Sequence, residues 1–472
     1  MCETKKYNLY LDSIKKDFNF LDDDSFKNSK KGLGLTHRQG NKYKLLPYTT
    51  KKNNLAVDFK GVTGAFSRLI SNRKFEKAFD MDIFIAEVVD QIAEFEGEIS
   101  KETFKDIIRT MFIKNTELVD FDIKTINYIS STSTDDKIAK FLYSVLFDNS
   151  LKDEVLKNYN RDVDNILYKL VLRALPELKE QDISNNEYKC YLPFIKELFI
   201  KDFEFIIRNE ELYKNSLKRF LEYYYVFYVS QLSMKLDKFE QADLSKADKI
   251  YYTLSWESTS KNRIAYRLGW ELLKGKVNSL FAHAITLELL NHHGLEDQLG
   301  YVELANIYNS MNEDEISKQI NSVFYEYISH VRDTPWEKLK FISRETSING
   351  FNEVYKLFDA IEFQFLKSKN RKELYKSYKG WFEKFIYHKF AKKRGPLGYN
   401  LNMTEDDIIL MTKICIKDSH RMKLNTLFDE FELRGLFFDR DSKMKIIQFY
   451  EKLNLLEKKS DSGDAQYVRS VL

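Results

Sequence analysis

Thr404-Glu405-Asp406-Asp407-Ile408-Ile409-Leu410-Met411 opens the stretch whose reading decides the fold, and that stretch runs to the C-terminal end of the sequence at Leu472. A hydroxyl followed three residues later by a carboxylate is a capping-box start, and Ile408, Ile409, Met411, Ile414 and Cys415 follow at helical spacing. Leu424, Leu427, Phe428 and Phe431 repeat at i, i+3, i+4 and i+7, and Gly435 stands where a left-handed cap ends a second helix. Asp439 or Asp441 is placed to cap a third, carrying Met444, Ile446, Ile447, Phe449, Tyr450 and Leu453. Arg440, Lys443, Gln448 and Lys452 are left largely for its other face. Two strand-like runs, 455–459 and 466–471, flank the turn-rich Ser460-Asp461-Ser462-Gly463-Asp464. Three helices and a hairpin in this order predict a C-terminal winged helix-turn-helix over 400–472, with a short β-hairpin wing. In the usual geometry of that module the third helix enters the major groove of DNA.

Charge tempers this expectation. From Thr404 to Leu472 there are twelve Lys plus Arg against thirteen Asp plus Glu, whereas unaided DNA binding requires phosphates to be neutralised. A wing that docks on protein therefore stands beside one that reads DNA. The candidate contacts in this stretch are Arg440, Lys443, Gln448, Lys452, Lys458, Lys459 and Arg469.

Immediately upstream the balance reverses. Leu366 to Arg394 holds eleven cationic residues against Glu373 and Glu383. Among the cations are Lys376, Lys379, Lys392, Lys393 and Arg394, interleaved with Tyr375, Tyr378, Trp381, Phe382, Phe385, Tyr387 and Phe390. Two readings fit: aromatics that stack on bases beside phosphate-neutralising lysines, or an aromatic core stripe with a solvated basic face. Arg394-Gly395-Pro396-Leu397-Gly398 then breaks the helix and marks a domain boundary.

A second basic tract, Lys27 to Lys52, has eight cationic residues and no carboxylate. It reads as an exposed basic arm offering Lys30, Lys31 and Arg38. The spacing of Gly34 and Gly40, followed by Asn41-Lys42-Tyr43, satisfies neither the P-loop nor the dinucleotide fingerprint.

Here the chain resembles a known family. Asn41-Lys42-Tyr43-Lys44-Leu45-Leu46-Pro47-Tyr48 and Phe59-Lys60-Gly61-Val62-Thr63-Gly64-Ala65-Phe66-Ser67-Arg68-Leu69-Ile70 are similar to the DNA phosphorothioation-dependent restriction protein DptG, as is Ser460-Asp461-Ser462-Gly463-Asp464-Ala465-Gln466-Tyr467-Val468. These runs cover under a tenth of the chain and hold no catalytic residues. The resemblance implies a component of a bacterial anti-phage defence complex, working beside DptF-like and DptH-like ATPase proteins on DNA that lacks a phosphorothioate backbone modification. It implies no catalytic set.

Composition suits a multi-helical body. The chain has 472 residues, with 43% hydrophobic and 31% charged residues, ordinary values for a globular protein with a substantial core. Five prolines and sixteen glycines are few, which favours long helices over a turn-rich β architecture. Residues 1–55 read as an N-terminal segment with the basic arm and 56–395 as a helical body, in which the sequence allows an internal break near 241–249. Helices are predicted over 82–96, 137–147, 160–175 and 215–236. No fixed-period repeat is found.

Cys2, Cys190 and Cys415 form neither a metal spacing nor a disulfide framework, which suits a reducing cytoplasm. No apolar signal core follows Met1, and no stretch approaches the roughly 20 apolar residues of a membrane span. The aromatic-rich run Phe220 to Leu232, which contains Glu222, reads as a buried or partner-facing helix. A net charge of +3 leaves nucleic-acid contact to local patches. Trp256 to Lys276, with Lys261, Arg263, Arg267 and Lys274, is a smaller basic segment whose simpler reading is a solvated helix face.

No catalytic motif stands out. Glu288 and His292 are an i, i+4 pair near His283 and His293, but His-Glu-x-x-His is absent and Gly294 marks the helix end, so capping or surface histidines are expected rather than a metal site. No metal or cofactor is expected. The reading is a non-catalytic subunit for DNA engagement or assembly. A diverged metal-dependent nuclease and a purely structural protein adaptor remain open beside it.

Overall fold

Leu280–Leu290 is apolar on every side, with His283, Thr286 and Glu288 as its polar side chains, and all eleven residues are buried. A helix without a polar face must lie inside the fold. Its neighbours are Phe351–Lys367 and Lys372–Lys389. The computed structural model describes residues 6–27, 32–47, 58–76, 79–92, 98–115, 117–181, 187–368, 371–458 and 466–471. Among them are twenty α-helices and a few short strands, and no described helix is long and apolar enough to cross a membrane.

Two compact units share the chain, both discontinuous. The first comprises Met1–Asn53, Val229–Asn402 and Gly435–Ser442; the second Asn54–Tyr228, Met403–Arg434 and Lys443–Leu472.

In the first unit, helices surround Leu280–Leu290, and a four-stranded sheet runs in the order Ala391–Lys393, Tyr399–Met403, Tyr251–Leu254, Phe437–Phe438. Ala391 faces Leu401 in an antiparallel pair and Tyr251 faces Phe437 in a parallel one. The parallel pair joins residues far apart in sequence, so no hairpin signal announces it.

The described part of the N-terminal basic tract is packed, which corrects the exposed-arm reading for residues 32–47. Leu35, Tyr43, Leu45 and Leu46 are buried, and Gly34 N–H donates to His330 O at 2.7 Å. The backbone N–H groups of Gly40, Asn41, Lys42 and Tyr43 all donate to the Glu288 carboxylate, at 2.8, 3.1, 2.8 and 2.9 Å. Gly40 has φ +84°, and successive N–H groups in such a turn form a concavity suited to an anion. The chain fills it with its own carboxylate.

Buried histidines accompany this core. Burial pushes the imidazoles of His37 and His283 down to about 3, and His283 Nδ1 lies 3.0 Å from Tyr301 Oη. Both folded pKa values lie below the unfolded value of about 6.5, so unfolding takes up protons below that pH. Their stabilising contribution is complete above about pH 6.5 and falls as pH drops toward the folded values, by about 1.4 kcal/mol per pH unit for each ring. Urea midpoints between pH 6.5 and 4.5 should therefore fall less steeply in His283→Gln than in the parent. Equal slopes would contradict a neutral buried ring.

The second unit is built on Lys60–Ile70, buried from Val62 to Ile70, lying against Ser133–Leu146. Gly64 permits the close approach: a Cβ there would stand 2.5 Å from Ile129 O. Phe199, Phe203 and Phe220 extend this core, with ring centroids 5.2–6.3 Å apart. A satellite cluster gathers Phe84, Ile85, Val88, Ile108, Phe112 and Val171. The Phe220–Leu232 run lies within the 27-residue helix Glu210–Leu236, and its aromatic residues are buried as expected.

The helix Lys372–Lys389 ends ahead of the stretch read as its break, where Gly395 and Gly398 take φ of +58° and +78° around a short 3-10 turn between the paired strands Ala391–Lys393 and Tyr399–Met403. Beyond it come the helix Glu405–Ile416, the strand Arg421–Lys423, the helix Leu424–Leu433, the strand Phe437–Phe438, the helix Arg440–Lys452, and the strands Leu456–Lys458 and Gln466–Arg469. Thr404 and Asp407 make the capping box reciprocally, at 3.2 and 2.8 Å. Gly435 has φ +78°, and Asp439 Oδ1 caps Ser442 N–H at 3.1 Å.

Candidate functional site

Three of the C-terminal strands form one antiparallel sheet in the order Leu456–Lys458, Gln466–Arg469, Arg421–Lys423. Leu456 faces Val468, and Tyr467 faces Lys423. Arg421–Lys423 is absent from the sequence reading, because three residues without apolar alternation carry no strand signal. The turn Ser460–Asp464 and Lys459 lie outside the described residues.

The helix Arg440–Lys452 buries Ile446, Phe449 and Tyr450, with Tyr450 Oη 2.6 Å from Thr412 Oγ1. Its exposed residues include Arg440, Lys445, Gln448 and Lys452. Met444, expected in the core, is half exposed at 50%. Lys443 belongs elsewhere: its Nζ pairs with Glu432 at 2.9 Å and lies 5.0 Å from the Phe428 ring centre. Lys445 was missed, although Lys445, Gln448 and Lys452 stand at i, i+3 and i+7 and so share one face. Gln448 Oε1 accepts from Lys445 Nζ at 3.1 Å.

Beside the sheet, within the second unit, lies a groove of about 830 Å³ lined by Lys413, Lys417, His420, Arg421, Glu457 and Arg469, among others. Its cations are largely engaged. Arg421 pairs with Glu457 at 2.9 Å and lies over the Tyr467 ring, and Arg469 pairs with the same carboxylate. Hydrogen bonds from these two arginines hold Glu457 below its ordinary pKa. Such exposed pairs contribute little stability and exchange readily for another anion. Lys458 lies in the strand Leu456–Lys458.

Arg434, which follows the helix Leu424–Leu433, fixes this region. Its guanidinium is buried and donates from Nε and Nη2 to Asp202, at 2.7 and 2.8 Å. Asp202 also accepts from Tyr224 Oη at 2.7 Å and pairs with Lys417 at 3.1 Å. Tyr223 Oη donates to Arg434 O. Although burial works against the charge, the hydrogen bonds to Asp202 carry the guanidinium well above its ordinary pKa.

Other sequence candidates fall apart from this face. Tyr375, Tyr378, Trp381, Phe382, Phe385 and Phe390 are buried, which overturns the base-stacking reading of the basic run in favour of a core stripe. Lys376 pairs weakly with Glu373 at 3.5 Å, and Lys379 with Glu383 at 3.1 Å. Lys392 Nζ donates to Ser255 O at 2.6 Å and Arg394 Nη2 to Leu254 O at 2.7 Å, so both hold the sheet edge. Lys393 and Arg38 are exposed, whereas Lys30 and Lys31 lie outside the described residues. Arg263, from the smaller basic segment, is held by Asp439 and by Glu257 at 3.2 Å.

Glu288, engaged by four backbone N–H groups, is not free to share a metal with His292, whose Nδ1 lies 3.0 Å from Ser13 Oγ. Among the described residues no group of three or more His, Cys, Asp or Glu side chains is placed to hold a metal ion. Comparison of the chain with protein-family models gives no match, and comparison with curated proteins gives none either.

Proposed function

We propose that residues 400–472 are a winged helix-turn-helix, and that the chain is a non-catalytic subunit of a DNA restriction complex, engaging DNA through this module. The observation that carries the reading is the helix–strand–helix–strand–helix–strand–strand order, in which Arg421–Lys423 pairs with Gln466–Arg469 while the short strand Phe437–Phe438 pairs elsewhere. In this reading the helix Arg440–Lys452 is the one that meets DNA, with Lys445, Gln448 and Lys452 directed to phosphates and base edges. The link to phosphorothioation-dependent restriction, and to DptF-like and DptH-like ATPase partners, rests on the short sequence resemblance to DptG. A bacterial cytoplasmic setting belongs to the same proposal.

The test keeps the chain whole. In a salt series with duplex DNA, Lys445→Glu with Lys452→Glu should bind more weakly, and the slope of log affinity against log salt should fall by about 2, roughly one for each phosphate no longer neutralised. Parent-like affinity and slope in the double variant would sink the assignment of this face.

Docking on protein is the second reading. The exposed apolar side chains Leu433 and Met444, at 53% and 50% exposure, favour it, as does the engagement of Arg421 and Arg469 by Glu457. It is the outcome if the parent chain binds no DNA at low salt yet copurifies with ATPase partners.

A further inference from the structure

Arg68 is a buried cation of the second unit held by neutral groups, and it lines a cavity. Its side chain comes from the last turn of Lys60–Ile70, and the residue is only 6% exposed. Nη1 donates to Asn127 O at 2.8 Å and to Ile129 O at 2.7 Å; Nη2 donates to Ser131 Oγ at 2.6 Å. Of five guanidinium N–H groups, three are thus used. Two remain, and among the described residues no carboxylate touches the group directly. Asp136 reaches it only through Ser131, whose hydroxyl donates to Asp136 Oδ1 at 2.6 Å. The Phe75 ring covers one guanidinium face, 4.4 Å from its centre.

A buried charge held by neutral acceptors is costly unless a counter-charge arrives. Burial accordingly lowers the Arg68 pKa, against a smaller opposing effect of Asp136. The cavity beside it has a volume of about 400 Å³. Among the described residues, Arg68, Arg73, Lys74 and Lys140 line it, with Asp136 as the one carboxylate. Arg73 and Lys140 have partners in Glu180 at 3.6 Å and Glu187 at 3.1 Å. Both are solvent-exposed pairs that an entering anion can displace at small cost.

We infer that this cavity binds a phosphate monoester, with Arg68 at its floor, Arg73, Lys74 and Lys140 at its rim, and space beyond the phosphate for a small organic group. Guanidinium N–H groups suit phosphate oxygens, and the volume lies in the range of small-molecule pockets rather than of a lone ion site. The site is independent of the C-terminal face.

The experiment is calorimetric titration of the full chain at low salt with inorganic phosphate, adenosine 5′-monophosphate and adenosine. The monophosphate should bind saturably and adenosine should not. Inorganic phosphate separates the two contributions: binding equal to the monophosphate assigns the site to the phosphate alone, and weaker binding assigns part of the affinity to the organic group. Because Arg68 is buried and its loss threatens folding, the variant is Lys74→Glu with Lys140→Glu, both exposed, and the expected loss of monophosphate affinity is about tenfold or more. No saturable heat with either phosphate up to about 10 mM, or unchanged affinity in the double variant, would overturn the inference.

Discussion

Asp202→Ala lowers stability by about 3–5 kcal/mol, because it leaves the Arg434 guanidinium buried without its carboxylate. Arg434 is 3% exposed and Asp202 is fully buried, so water replaces little of what is lost. Tyr224 Oη loses its acceptor in the same change. The measure is the urea midpoint, with the double variant Asp202→Ala, Arg434→Met as the decisive comparison. Removing both partners should recover much of the loss, since the buried charge goes with its counter-charge. A double variant as unstable as the sum of the two single ones would mean that packing, not charge, dominates. Arg434 follows directly on the helix Leu424–Leu433, so the damage should be local first. Proteolysis and hydrogen exchange should quicken across 403–434 before the rest of the unit responds.

The second large effect is at Glu288. Glu288→Ala removes the acceptor of four backbone N–H groups at once. Hydrogen bonds to a charged group are worth about 1.5–3 kcal/mol each, but they do not add, and water reaches the exposed residues Asn41 and Lys42. The expected cost is roughly 3–4 kcal/mol. Glu288→Gln keeps the shape but turns an N–H donor toward N–H donors, and should retain part of the loss. Amide exchange at residues 40–43 reads the effect directly. Protection unchanged in Glu288→Ala would show that the turn holds itself.

How far these sites could be read from sequence depends on whether their partners are local. The capping box at Thr404 and Asp407 and the glycine cap at Gly435 were legible, and the cap of the third helix was narrowed to Asp439 or Asp441, because each is an interaction within a few residues. Asp202 left a signal as well: with Ile195, Phe199, Phe203 and Ile206 it occupies the buried face of Pro193–Arg208, where a carboxylate demands a partner. The partner could not be named, since Arg434 lies 232 residues away. The basic tract misled for the opposite reason. Its eight cations and open glycines describe a solvated arm, yet the turn at Gly40 is packed by a carboxylate 245 to 248 residues further on. In the run 375–390 periodicity was the sounder guide: aromatics at helical spacing went inward, and the lysines between them marked only the wet side.

The clasp of Glu288 on residues 40–43 also sets an order of events during synthesis. The turn leaves the ribosome long before the helix Leu280–Leu290 exists, and at about 5–20 residues per second the wait is on the order of 10–50 s. During that interval Leu35, Tyr43, Leu45 and Leu46 have no core to enter. Closure of so long a loop is slow compared with local helix formation. Residues 32–47 are therefore among the last to settle, and a nascent chain stalled before residue 280 would display them to chaperones and proteases.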